Sequence, residues 1–343
     1  MASRPSRPVG IEDVARAASV SITTVSHALS GKGQVAAATR ARVADVAREL
    51  GYAPNRHASA LRGRRTHILG FVSDNIATTP FATRVIVGAQ EAAAERDQLL
   101  VVVNSNEDED IEARQISSLL AARVDAVVYA RMFHHDATTL PEAMRGVPSV
   151  MVDTADTDGR VPSVVPDETQ IGRLATEALV AAGHRHIAHL TIDQPGRGTD
   201  LREEGYRSVL ADAGLSPLVI PVPGDADAAA GREAWRRLRS VSDEVTGVFC
   251  FNDPLAMGVY QAANIDGLSI PEDLSVIGVD DFRPVAEALL PGLTTVALPH
   301  YEMGRWAVNS LLHLLDGGTL EGPVDHVIPG ALVTRGSVRP PRA

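Results

Sequence analysis

Apolar residues recur along this chain in two rhythms, and the change from one to the other divides it. Near the N-terminus Ile11, Val14, Ala15 and Ala18 fall at i, i+3, i+4 and i+7, the stripe of an amphipathic helix. Glu12 and Asp13 occupy its first turn, where the positive end of the helix dipole favours acids. The pattern breaks at Ser19-Val20-Ser21. Ser21 is placed to N-cap a second helix over 22–29, with Val25 and Leu29 turned inward, and Gly31 and Gly33 end it. A third helix over 37–50 carries Val43, Val46, Ala47 and Leu50 on one side and stops at Gly51. Two short helices across a tight turn, braced by a third, predict a helix-turn-helix unit. The second helix of such a unit enters a DNA major groove by its N-terminus.

From His67 onward, strand-like runs alternate with helical ones. HILGFVS precedes a helix over 82–96, LLVVV one over 111–121, and DAVVY one over 137–144, followed by PSVMVD. After Val165 come a helix over 169–182, HIAHLTI, 200–213, PLVIPV, 226–240, GVFCF, 253–264 and DLSVIGV. This alternation predicts parallel sheets covered by helices. Residues 67–343 exceed what one hydrophobic core normally serves, so two α/β subdomains are expected. A last amphipathic helix over 301–316 ends at Gly317-Gly318. No leucine heptads follow it, so a dimer is expected rather than a coiled-coil tetramer.

Charge sharpens the division. Residues 1–65 hold 11 Lys and Arg against 4 Asp and Glu, whereas the rest holds 21 against 39. A basic head on an acidic body is the footprint of a DNA binder whose body avoids DNA, and the net charge of −11 conceals it. The apolar fraction is 45% with only 4% aromatic, so the cores are built of Ala, Val, Leu and Ile. No window has the roughly 20 apolar residues of a membrane span. MASRPSRPVG lacks the apolar stretch of a secretory signal and reads as a flexible arm, so a cytoplasmic location is expected. The lone Cys250, inside VFCF, excludes an intramolecular disulfide and a cysteine zinc cluster, and reads as a buried thiol.

Candidate chemistry is sparse. There is no GxGxxG opening a helix, no P-loop, no GxSxG and no HExxH, so neither catalytic residues nor a cofactor is expected. His184, His186 and His189 lie on a strand approach whose alternation separates neighbours, and no carboxylate or Cys is suitably spaced; no metal site is expected. Short polar residues instead sit at strand ends: Asp74, Asp153, Asn252, Asp253 and Asp280. In open α/β folds that edge is where ligands bind. The alternative role of each is to cap the following helix, as for Asn252 or Asp253 before PLAMG.

Three blocks in order, IEDVARAASVSITTVSHALSGKG, VAAATRARVADVARELGY and PNRHASALR, resemble the LacI/GalR family of transcriptional regulators, and the similarity runs over nearly the whole chain. The resemblance implies a small all-α helix-turn-helix domain plus an α/β periplasmic-binding-protein-like core of two parallel-sheet subdomains. The expected divisions are an arm at 1–9, the head at 10–54, a hinge helix or linker at 55–65 and the core at 66–343. Within the core, 66–165 and 299–329 would form one subdomain, and 166–298 and 330–343 the other.

The family's base-reading positions fall on Ile22, Thr23 and His27. Ile22 suits a thymine methyl, Thr23 donates or accepts, and His27 suits a purine edge. Ser21, Thr24, Ser26 and Thr39 suit phosphate contacts, which position without specifying. In the hinge, Asn55, Ala58, Leu61 and Arg62 match the family's minor-groove segment. Leu61 would be the wedge that unstacks a base step, and Ala58 the close approach of paired hinges. Arg202, in LREEGY, matches the ligand-binding arginine, and Phe81, in TTPFA, an aromatic that lines the pocket. Pro166-Asp167-Glu168 departs from the family's VDN-type turn, and Asp167 reads as a helix N-cap. Leu298 stands where some sugar-binding members carry a polar residue. The implied function is a homodimeric repressor of a pseudo-palindromic operator in double-stranded DNA. A small effector, a sugar or related polyol, would control it. Ligand-strengthened binding and a cytoplasmic sugar-metabolising enzyme are the alternatives.

Overall fold

The computed structural model describes residues 9–30, 33–52, 65–80, 82–132, 134, 138–194, 196–320 and 325–342. The chain forms two compact units, Met1–Thr66 and His67–Ala343. The first contains α1 (Ile11–Ala17), α2 (Ile22–Ser30) and α3 (Ala37–Glu49). Val14, Ala15, Ala18, Val25, Ala28, Val43 and Ala47 close its core, and their small volumes let three short helices pack closely. Asp13 accepts the Gly10 N–H at 2.9 Å, and Ser21 Oγ accepts the Thr24 N–H at 3.0 Å, so each of the first two helices starts on a side-chain cap. Leu50 departs from expectation. It follows α3 as the C-cap and is 38% exposed. Gly51, at φ +64°, turns the chain there, and Tyr52 packs against the core instead.

The second unit holds two six-stranded sheets. In the first, β1 (Ile68–Ser73), β2 (Leu99–Asn104), β3 (Ala126–Ala130), β4 (Ser149–Val152) and β5 (Ser163–Pro166) are joined by β11 (Asp325–Ile328). The order is β11-β5-β4-β3-β1-β2, parallel throughout. One face packs on α4 (Thr83–Ala94) and α11 (His300–Leu315) through Phe71, Val128, Val85, Ala89, Met303 and Ala307. The other face packs on α5 (Glu109–Ala121) through Val72, Tyr129, Ile116 and Leu119.

The second sheet contains β6 (Ile187–Ile192), β7 (Leu218–Val222), β8 (Gly247–Cys250), β9 (Ser275–Val279), β10 (Thr294–Ala297) and β12 (Ala331–Val333). Its order is β12-β10-β9-β8-β6-β7, and the short α10 (Arg283–Ala286) falls between β9 and β10 in the chain. β12 runs antiparallel to β10, the one departure from two purely parallel sheets among the described residues. Alternation splits the strands cleanly. Val248 and Cys250 face α8 (Ala228–Val241) and α9 (Asp253–Ile265), while Phe249 faces α6 (Glu168–Ala181) and α7 (Arg197–Asp212). The chain crosses between sheets after β5, β10 and β11. The helix expected over 137–144 is a bridge at Thr138 and one 3-10 turn, Glu142–Met144. Pro141 lacks the N–H a helix interior needs, and Thr138-Thr139 favours extended backbone.

Three helix pairs cross at glycine. A Cβ on Gly172 would strike the Arg202 carbonyl oxygen, and one on Gly205 that of Thr169, where α6 meets α7. Gly88 and Gly304 meet in the same way between α4 and α11, and Gly231 and Gly258 between α8 and α9. No residue with a side chain fits at these six backbone contacts. The α6–α7 crossing matters most for the site, because it places Glu168 and Arg202 side by side.

Candidate functional sites

In the head, α2 buries Val25 and Ala28 and leaves Ile22, Thr23 and His27 exposed. Ile22 is 42% exposed, which burial in the head's own core would not allow. Ser21 and Thr24 share a hydroxyl hydrogen bond of 2.8 Å at the helix start, while Ser26 and Thr39 are half-buried. The His27 ring rests against Gly33, where a Cβ would come within 2.6 Å of Nδ1. Thus one surface of α2 presents an apolar, a hydroxyl and an imidazole side chain around a helix N-terminus. Asn55, Ala58, Leu61 and Arg62 lie outside the described residues, as does Phe81.

Between the two sheets of the core lies a cavity of about 20 Å³, close to the space one water needs. Its lining comes from strand C-terminal ends, two crossovers and α7: Met132, Asp153, Pro166, Glu168, Arg202, Phe251, Asn252, Asp280, Leu298 and His300. Arg202 and Glu168 are 5% and 2% exposed and form its electrostatic centre. Arg202 donates from Nε to Glu168 Oε2 at 2.6 Å, from Nη2 to Oε1 at 3.0 Å and from Nη1 to the Phe251 carbonyl at 2.8 Å. Its guanidinium also lies over the Phe251 ring, 4.6 Å from the centroid. Burial opposes the arginine's charge, but Glu168 outweighs burial and holds the guanidinium protonated.

Asp153 and Asp280 follow β4 and β9 directly, and both have left-handed backbone, at φ +59° and +115°. That conformation is costly for a residue with a Cβ and turns each side chain off its strand end. Among the described residues, Asp153 Oδ1 and Asp280 Oδ2 are buried without a hydrogen-bond partner. Burial, and then the charge of Glu168, push the Asp153 carboxyl up to about 7. Burial, and then the charge of Asp253, push Asp280 well above the carboxylate range. Each carboxyl thus offers a buried polar oxygen that no group among the described residues engages.

The structure brings Asp153, Arg202, Asn252 and Asp280 together and puts Asp74 and Asp253 to other use. Asp74 accepts the Met132 N–H at 3.0 Å and the Asn75 N–H at 2.5 Å. Asp253 accepts the Thr295 hydroxyl at 2.6 Å and the Phe282 N–H at 2.7 Å, and burial pushes its carboxyl up to about 7. Neither borders the cavity; each ties a loop behind it. Asn252 borders it and also caps α9, accepting the Leu255 N–H at 2.8 Å. Asp167 caps α6 through the Gln170 N–H at 3.0 Å.

Glu168, Phe251, Met132 and His300 are lining residues that strand-end reasoning does not select. Glu168 in particular reads from sequence as an acid favoured by a helix N-terminus. The histidines of the 184–189 stretch have structural work. His184 sits 2.9 Å from Thr246 Oγ1 and 3.0 Å from the Arg339 carbonyl, and His189 stacks on Phe249.

A basic helix-turn-helix unit attached to a two-sheet core with a polar cavity at its strand ends defines a DNA-binding regulator with a ligand-sensing body. Comparison with known proteins specifies the class. Residues 66–332 match the model described as "Periplasmic binding proteins and sugar binding domain of LacI family", and residues 10–55 match "Bacterial regulatory proteins, lacI family". The ribose operon repressor of Escherichia coli (strain K12) is 35% identical over 95% of this chain and 99% of its own. The Lac repressor dimer bound to operator and the anti-inducer ONPF is similar with a TM-score of 0.81 at 27% identity, covering 97% of this chain and all of that one. The CelR–cellobiose complex is similar with a TM-score of 0.70 at 31% identity, over the same shares of the two chains. The chain belongs to the LacI family of bacterial transcriptional regulators.

Proposed function

We propose that the chain is a homodimeric repressor whose grip on a pseudo-palindromic operator is set by a small polyhydroxylated metabolite bound between the core's two halves. The observation that carries the ligand half of this reading is the pair of buried, donor-less carboxylate oxygens on Asp153 and Asp280. A hydroxyl-rich ligand supplies the missing donors. The sugars in the names of the ribose operon repressor and the CelR–cellobiose complex agree with that chemistry. A cavity of about 20 Å³ is too small for any sugar, so the halves must part, or side chains move, to admit one. Ligand binding and domain geometry are then coupled, and operator and ligand must affect each other by the same factor.

On DNA, Ile22, Thr23 and His27 read base edges while Ser21, Thr24, Ser26 and Thr39 hold phosphates. Residues 55–62 form the paired hinge, and Leu61 opens the central base step. The test is to capture genomic fragments on the purified protein and read their shared motif. Operator affinity is then titrated with the metabolites of the adjacent genes. Tightening instead of release makes the ligand a corepressor. Absence of a two-fold-related motif overturns the proposal.

A further inference from the structure

Resting on the effector reading above, we infer that Glu168 is a specificity-determining residue: it occupies the fork of Arg202 and so bars effectors that carry a carboxylate or a phosphate. An acid held away from water needs a cation whose charge is not already spent. Among the described residues that border the cavity, Arg202 is the one guanidinium or ammonium, and His300 the one imidazole. Glu168 takes the arginine's Nε and Nη2 donors with both of its oxygens, at 2.6 and 3.0 Å. The Phe251 carbonyl takes Nη1 at 2.8 Å, and the Phe251 ring covers one face. One N–H on each terminal nitrogen is left, which suits a hydroxyl oxygen. It offers an acid no net charge, because the Glu168–Arg202 pair is neutral as a unit.

The fold holds Glu168 in that place. The close crossing of α6 and α7 at Gly172 and Gly205 sets the spacing of the pair, and Asp167 fixes the first turn of α6 by accepting the Gln170 N–H at 3.0 Å. An incoming acid must evict the Glu168 carboxylate or lie beside it. Eviction leaves a carboxylate without its partner at a site where Glu168 is 2% exposed. Lying beside it sets like charges together out of water. Asp153 and Asp280 bring no relief. Their carboxyls, pushed up by burial, are acids on which further negative charge holds the proton more firmly, not cations that attract it. A polyol without an acid group meets neither cost. Its hydroxyls donate and accept among the carboxyls, Asn252 and the spare N–H groups.

The experiment uses ribose, xylose, glucose, galactose and cellobiose, each beside its aldonic acid and a phosphate monoester. Binding to the full-length protein is measured by titration calorimetry and thermal shift, with operator affinity read in parallel. The tightest binder should be a parent sugar, with its acid and its ester at least about a hundredfold weaker. Glu168→Gln frees the Nε and Nη2 donors and should raise affinity for the acid or ester of the preferred scaffold at least about tenfold relative to the parent. Glu168→Gln combined with Arg202→Gln removes both charges and should lose the acid again. If Glu168→Gln does not fold, the ranking by the unsubstituted protein decides alone. The inference is overturned if an acid or ester binds the unsubstituted protein as tightly as its parent, or if nothing in the panel binds it. It is equally overturned if folded Glu168→Gln still rejects every acid and ester, or if the double variant keeps them. An ester that binds best and shifts operator affinity sinks the filter and leaves the regulator reading intact. Binding in the expected order that never shifts operator affinity sinks the regulator reading instead.

Discussion

Glu168→Ala isolates the interaction at the centre of the cavity. It leaves the Arg202 guanidinium at 5% exposure, hydrogen-bonded to one carbonyl and stacked on one ring, with the Asp153 and Asp280 carboxyls near it but not bonded to it. Breaking a buried pair by removing one partner costs about 3–5 kcal/mol, because the remaining charge is uncompensated. For a domain of this size each kcal/mol lowers the melting temperature by roughly 2–4 °C, so a fall on the order of 6–20 °C is expected. Replacing both partners, Glu168→Leu with Arg202→Met, removes the desolvation cost along with the attraction. The double variant should melt within about 1–2 kcal/mol of the parent, on either side, while losing its response to ligand. Calorimetric scans of the parent, both singles and the double close the cycle. Two results would refute the reasoning: a Glu168→Ala transition within 2 °C of the parent at the stated threshold of roughly 1 kcal/mol, or a double variant as unstable as the singles.

Three further outcomes are expected. Asp153 and Asp253 are each pushed up to about 7 by burial, above the 3.8 of an ordinary aspartate. Between those values the folded state holds protons that the unfolded state has released, so stability falls as pH rises from about 4 to about 7. The ligand-free protein should melt higher at pH 5 than at pH 8, and Asp153→Asn should flatten that slope; an unchanged slope assigns it to other groups. Gly205→Ala drives a methyl against the Thr169 carbonyl and should cost about 1–3 kcal/mol, together with loss of ligand binding, whereas Gly214→Ala, with open space around it, should leave ligand binding intact. Leu61→Ala should weaken operator binding and reduce DNA bending in a circular-permutation gel assay while sparing ligand binding, and undiminished bending rules out the wedge.

The parts legible from sequence were those whose periodicity is imposed by burial. Val14, Ala15 and Ala18 had to share a face for α1 to pack, and the apolar runs of β1, β3 and β9 are buried on both sides. The strands β5, β10, β11 and β12 span only three or four residues, too few to show a rhythm, and exist because a neighbouring strand pairs with them. The cavity was legible only as far as strand ends reach. An aspartate there reads the same whether it borders the cavity, as Asp153 does, or fastens a loop, as Asp74 does. Glu168 was hidden for a different reason. Its partner lies 34 positions along, and only the close crossing of α6 and α7 brings the two together.

The glycine crossings also bear on how such a protein changes over generations. The residues that fix the spacing of each helix pair, Gly88 with Gly304, Gly172 with Gly205 and Gly231 with Gly258, have no side chain to vary. Apart from Arg202 on α7, the residues that border the cavity stand at strand ends and helix starts, away from most of that scaffold. A lineage can therefore rewrite the chemistry of the cavity one side chain at a time without renegotiating the frame, and a new nutrient signal can be wired to an old operator by a handful of substitutions.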